Sequence, residues 1–198
     1  MPVSLILAST SPYRAALLER LGLPFRVEAP GIAEDLLAGE APPARALRLA
    51  LAKAEAVAAA HPHAWVLGSD QVADCDGRIL DKPGDADHCR KQLTACSGRS
   101  VTFFTAVVLT RGAPAAVSQH VDRTIVRFRS LTDAEIARYV QLDRPFDCAG
   151  GFRSEGLGVA LFDGIDCCDP TALIGLPLIW VASALRKAGL DSLAANQP

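Results

Sequence analysis

Apolar positions along the chain alternate between two rhythms. Residues 3–8 form a short continuous apolar run, the pattern of a buried strand. Tyr13, Leu17 and Leu21 then recur at helical spacing, which predicts a helix over 13–21. A second strand is expected near 25–28, followed by the Gly/Pro-bearing loop "APGIAEDLLAGEAPP". Pro42 and Pro43 suit the first turn of an alanine-rich helix reaching about residue 60. "AWVLGSD" reads as a buried strand that ends at a polar tip and leaves Asp70 exposed just beyond it. Asp76-Gly77, between alternating residues, signals a hairpin. A helix is expected over 85–96, and strands over 101–110 and about 117–128 flank the turn "RGAP". Thr132 caps a further helix. "GLGVALFDGID" is a last strand candidate, and Asp169-Pro170 opens the final helix.

This order predicts a mixed α/β fold, since antiparallel hairpins interrupt a βα beginning. We expect a single domain over 1–198, elongated, with a mixed sheet, flanking helices and a cleft between two lobes.

Bulk properties narrow the class. Of 198 residues, 50% are hydrophobic, enough for a sizeable core. The formal net charge of −2 gives no electrostatic case for a nucleic-acid or membrane-surface partner, so any basic site is local. The six cysteines show no CxxC spacing and no basic leader precedes Arg14, consistent with reduced thiols in a cytoplasmic protein. The most apolar late stretch, 172–185, is broken by Gly175 and Pro177 and reads as a buried helix rather than a membrane span. His61, His63, His88 and His120 show no zinc spacing.

The candidate chemistry begins with Arg14. A cation is misplaced in the first turn of a helix, whose N-terminus is already partly positive, unless an anion joins them. Ser9, Thr10 and Ser11 add hydroxyls and N–H groups at the same turn, and a guanidinium reaches phosphate oxygens in bidentate fashion. Asp70 in "GSDQV" offers a carboxylate as metal ligand or general base. Lys82 in "LDKPG" lies after the hairpin and Lys53 inside the alanine-rich helix, both available as further cations. Glu34 and Asp35 add carboxylates for a divalent ion, which typically takes one or two from protein plus phosphate oxygens. "CAGGFRSEGLG" sets Arg153, Ser154 and Glu155 among glycines but is no GxGxxG fingerprint.

Taken together, "LASTSPYR", "GSDQV", the Lys-Pro after the hairpin, "CAGGFRSEG" and "DPTALIGLPL" resemble the Maf family of nucleoside triphosphate pyrophosphatases from Ile6 to about Leu185. The resemblance implies a fold of the inosine-triphosphatase type, often dimeric, and hydrolysis of the α–β phosphoanhydride with Mg or Mn. It implies Asp70 as proton acceptor, Arg14, Lys53 and Lys82 with Ser9 and Ser11 on the phosphates, and Glu34 with Asp70 on the metal. It is closest to the subgroup acting on 7-methyl-GTP, which places Tyr13, Gln71 and Glu155 in substrate selection. N7-methylation makes guanine cationic, which favours an aromatic face and a nearby carboxylate. The chain departs from that subgroup at Tyr13, Ala15, Ala33 and Arg153, where Trp, Arg, Asp and Lys are usual. A broader dTTP or UTP pyrophosphatase, or a nucleotide-binding regulator of cell division without turnover, is the alternative expectation.

Overall fold

The structure is a computed structural model and describes residues 4–112 and 116–194. Strand β1 (Leu5–Ala8) is buried throughout because it lies between parallel neighbours, β2 (Phe25–Glu28) and β3 (Trp65–Cys75). Helix α1 (Pro12–Glu19) follows β1 at once, with Ser11 as its cap and Pro12 in its first turn. Helix α2 (Pro42–Ala58) crosses from β2 to β3 and buries Ala46, Leu49, Ala50, Lys53, Ala54 and Val57 along one stripe.

From β3 onward the sheet is antiparallel. Asp76 and Gly77, at φ 52° and 83°, form the tight turn between β3 and β4 (Arg78–Leu80), the geometry the Asp-Gly pair predicts. Helix α3 (Ala86–Cys96) leads to β5 (Ser100–Arg111) and β6 (Ala116–Phe128), which pair along their length. Residues 113 and 114 of the expected "RGAP" turn lie outside the described residues. Helix α4 (Asp133–Asp143) opens with a full capping box between Thr132 and Glu135. Strand β7 (Phe162–Asp166) and helix α5 (Leu178–Lys187) complete the sheet order β2-β1-β3-β5-β6-β7, with β4 on β3. No helix among the described residues is long and apolar enough to cross a membrane.

Three sequence expectations are corrected. Asp70 does not stand at a strand tip: β3 continues to Cys75, and Asp70 is buried in its middle, opposite Ala106. Residues 157–161 form a 3₁₀ turn, so the late strand is confined to Phe162–Asp166. The backbone bends there at Gly158, where a Cβ would lie 2.3 Å from Arg153 O. The final helix starts at Leu178 rather than after Asp169-Pro170. Asp169 accepts from Thr171 N and Oγ1 with one oxygen and from Ile179 N with the other, which folds 170–177 into a tight loop instead.

Period-two alternation then sorts the core. Val66, Val72, Ala106 and Val108 pack under α2 on one face of the sheet. On the other face, Leu67, Val107 and Leu109 join α1 and α5, while Ala73, Cys75, Val101 and Phe103 join α3 and α4. Ser69, Gln71 and Thr105 separate those two clusters as a polar strip. The β1 pairing stops at Gly68 and the β4 pairing starts at Ala73, so residues 69–72 have no strand partner on that edge. The sheet is open there, beyond the carboxyl end of β1.

Candidate functional site

A cavity of about 560 Å³ occupies that opening, within the usual range for a small-molecule site. The residues that the resemblance assigns to phosphate, metal and substrate line it: Ser9, Ser11, Tyr13, Arg14, Glu34, Lys53, Asp70, Gln71, Lys82 and Glu155; Asp35, the other carboxylate expected for a divalent ion, is not among its lining residues.

At its floor, Lys53 Nζ lies 2.7 Å from Asp70 Oδ1 and 2.7 Å from Glu34 Oε1. Lys53 is therefore not a surface lysine; it is 6% exposed and Asp70 7%. The contact depends on how closely α2 rests on β3. A Cβ on Gly68 would lie 2.3 Å from Ala50 O, so only glycine admits the helix this near. Glu34 is presented by the loop after β2, which Arg48 clamps to α2 through Glu40, at 2.6 and 2.7 Å, and Asp35 O at 3.1 Å. Burial pushes the Glu34 carboxyl up, but the hydrogen bond and charge of Lys53, with Lys82 and Arg14 adding, leave it below its ordinary range.

Arg14 enters from the first turn of α1. Its Nε donates to Gly175 O at 2.9 Å and its Nη1 to Ser9 Oγ at 3.5 Å. Burial lowers its pKa, opposed by the charges of Asp70 and Glu34. Ser9 Oγ also accepts from Ser11 N at 3.1 Å, which curls the strand-to-helix turn around the guanidinium. Gly175 O is fixed by Ser69 Oγ at 3.0 Å, so the loop held by Asp169 and Thr171 also holds Arg14.

Gln71 is oriented by that same loop. Its Nε2 donates to Thr105 Oγ1 at 2.9 Å and to Ala172 O and Leu173 O at 3.0 Å. Its Oε1 has no hydrogen-bond partner among the described residues, which leaves an acceptor for a ligand. Tyr13 donates to Asp147 Oδ2 at 3.3 Å, and burial followed by the neighbouring Cys148 raises its phenol to about 12, so it stays neutral. Arg153 does not reach into the cavity as a free cation, because its Nη2 donates to Asp143 O and Oδ1. Glu155 stays exposed beside it and accepts from Ser154 Oγ at 3.3 Å. Lys82 has no ion-pair partner among the described residues.

The sequence alone did not single out Phe103 and Phe152, which line the cavity and pack edge to face at 5.4 Å. Phe103 continues the odd-numbered apolar face of β5, and that alternation was the available signal. Arg45 was missed as well, although it precedes Leu49 and Lys53 on one broad face of α2.

Among the described residues no group of three or more His, Cys, Asp or Glu is arranged to hold a metal ion by itself. Glu34 and Asp70 fit a hard divalent ion that draws its other ligands from phosphate oxygens and water, the coordination Mg²⁺ favours. The second oxygen of each carboxylate has no hydrogen-bond partner among the described residues. All six cysteines are unpaired, and His61, His88 and His120 serve local contacts, for example His61 with Glu28 at 2.8 Å.

Comparison with known proteins follows the same line. A family model described as "Maf-like protein" matches residues 4–188. The chain is 52% identical over 192 residues to the 7-methyl-GTP pyrophosphatase of Cupriavidus pinatubonensis, covering 96% of each. It is 55% identical over 185 residues to that of Xanthomonas oryzae pv. oryzae, covering 93% of this chain and 96% of the relative. It is 48% identical over 196 residues to that of Bordetella pertussis, covering 99% and 98%. Among solved structures, a HAM1 protein from Coxiella burnetii superposes with a TM-score of 0.47 at 14% identity, over 93% of this chain and 99% of that one.

Proposed function

The chain belongs to the Maf-like family, whose model spans residues 4–188, and from that premise we propose that it hydrolyses 7-methyl-GTP to 7-methyl-GMP and diphosphate. The observation that carries the chemistry is the chain Glu34–Lys53–Asp70, two carboxylates bridged by one ammonium at 2.7 Å each, set beside Arg14 in one cavity. A triphosphate brings about four negative charges, and cations gathered around its phosphates stabilise the charge that develops on the leaving diphosphate.

In this reading the whole chain acts as one catalytic domain. Ser9, Ser11 and Arg14 hold phosphate oxygens at the strand-to-helix turn, with Lys53 and Lys82 opposite. Asp70 orients the attacking water and accepts its proton. The water oxygen bonds to the α-phosphorus as the bond from that phosphorus to the α–β bridging oxygen breaks, and the electron pair of the broken bond leaves with the diphosphate. Glu34 and Asp70 would hold a divalent ion, Mg or Mn, which would supply polarisation of that water and neutralisation of phosphate charge. Tyr13 supplies a face for the cationic 7-methylguanine ring, while Glu155 and Gln71 Oε1 accept from the N–H groups of its Watson–Crick edge. A neutral pyrimidine gains little from that carboxylate beside a stacking ring.

The test measures pyrophosphate and orthophosphate separately from 7-methyl-GTP, GTP and UTP, with Asp70→Asn alongside. Pyrophosphate release from 7-methyl-GTP, abolished in the variant while nucleotide binding persists, is expected. Orthophosphate as the sole product, or full activity in the variant, overturns the proposal.

A further inference from the structure

Arg45 has no role in the scheme above, yet its surroundings are those of an anion-binding group. It lies on α2 eight residues before Lys53, about 12 Å along the helix axis, and lines the same cavity. Its side chain is only 13% exposed. Nε and Nη1 are buried with no hydrogen-bond partner, and Nη2 stands 3.8 Å from Asp81 Oδ1, a carboxylate that is 68% exposed. An ion pair that long with a solvated partner contributes little. Arg45 also sits near the N-terminus of α2, where the helix dipole opposes a cation and Ala41 provides no side-chain cap.

Two other cations of the cavity, Lys53 and Arg14, are already engaged. Lys53 Nζ is shared by two carboxylates, and Arg14 Nε is bound to Gly175 O. Lys82 follows Asp81 directly and has no ion-pair partner among the described residues, so it and the weakly paired Arg45 approach the cavity from two different parts of the chain.

We infer that Arg45 leaves Asp81 to bind the outer phosphates of the triphosphate and then the diphosphate product, together with Lys82. This rests on the triphosphate reading given above. The swing exchanges a weak ion pair and two unpartnered donors for the bidentate contact that a guanidinium makes with phosphate. Asp81 acts as its competitor, holding Arg45 aside when no phosphate is present.

Calorimetric binding of inorganic pyrophosphate, in the presence of Mg²⁺, tests the assignment on the wild type, Arg45→Ala and Asp81→Asn. Arg45→Ala is expected to weaken pyrophosphate about tenfold, the size of one charged hydrogen-bonding partner, and to leave 7-methyl-GMP affinity unchanged. Asp81→Asn is expected to tighten pyrophosphate about threefold, because it removes a weak competing ion pair. The opposite signs separate the effect from misfolding, which weakens every ligand in either variant. Unchanged pyrophosphate affinity in Arg45→Ala, weaker binding in Asp81→Asn, or no binding by the wild type overturns the inference. Failure of the 7-methyl-GTP reading shows differently, as a wild type that turns over GTP or UTP equally well while its pyrophosphate affinity still answers to Arg45 and Asp81.

Discussion

Replacing Gly68 by alanine tests whether the approach of α2 to β3 sets the catalytic geometry. The added Cβ would meet Ala50 O at 2.3 Å, Ala54 N at 2.8 Å and Ala54 Cβ at 2.8 Å. All three belong to the helix and two are backbone, so no side chain can rotate away. Relief requires α2 to retreat by about 1 Å, towards ordinary van der Waals separation. Lys53 rides on that helix, and its 2.7 Å contact with Asp70 opens with it. Overpacking a well-filled interior costs about 1–3 kcal/mol, and rigid neighbours place this case near the upper end. For a chain of this size that corresponds to a melting temperature lower by roughly 6–12 °C. A displacement near 1 Å at catalytic groups costs on the order of 100-fold in rate. The assay is kcat/KM for pyrophosphate release at 20 °C, where the variant remains folded, beside a melting curve by circular dichroism. A variant that melts early but retains full kcat/KM refutes the argument, because it separates the seat of α2 from the placement of Lys53.

Three further outcomes follow from particular contacts. Thr171→Val removes the hydroxyl bonded to Asp169, Leu176 O and Leu178 N; loosening Gly175 O should lower kcat/KM by about tenfold with a smaller change in KM, measured by initial rates. Glu34 has a folded pKa below its ordinary value of 4.5, so its contribution is complete above that value and fades as the pH falls through the lower folded one. Urea unfolding midpoints of wild type and Glu34→Gln should therefore differ at neutral pH and converge in acid; a gap that widens on acidification contradicts the ion pair. Burial raises the thiols of Cys89 to about 11 and Cys96 to about 12, and Cys167 and Cys168 are exposed. Iodoacetamide at pH 7.5 followed by mass spectrometry should thus label Cys167 and Cys168 in the native protein, and Cys89 and Cys96 only after unfolding.

Much of this architecture is local in origin and was readable for that reason. The Asp76-Gly77 turn, the Thr132 cap and the paired prolines that open α2 are governed by residues within a few positions of one another. The Gly-Ser-Asp run at 68–70 resembles a strand end, which hides the true place of Asp70 in the middle of β3. Only the long-range pairing with β5, Asp70 opposite Ala106, carries the strand onward, and Lys53 and Arg14 make burial of the carboxylate tolerable. Asp169-Pro170 reads as a helix start because Asp-Pro commonly opens one. Tertiary hydrogen bonds from Thr171 and Ile179 to Asp169 decide otherwise. Arg45 and Phe103 needed the fold to be noticed, since each looks like an ordinary helix or strand residue until the cavity lies beside it.

The most direct measurement of the central claim places 7-methyl-GTP and GTP together in one reaction with Mg²⁺ and follows products by mass spectrometry. The account predicts that 7-methyl-GMP and diphosphate appear first, and that Glu155→Gln erases most of the preference while diphosphate release continues. GMP formed as fast as 7-methyl-GMP by the wild type, or nucleoside diphosphate with orthophosphate as the products, would contradict it.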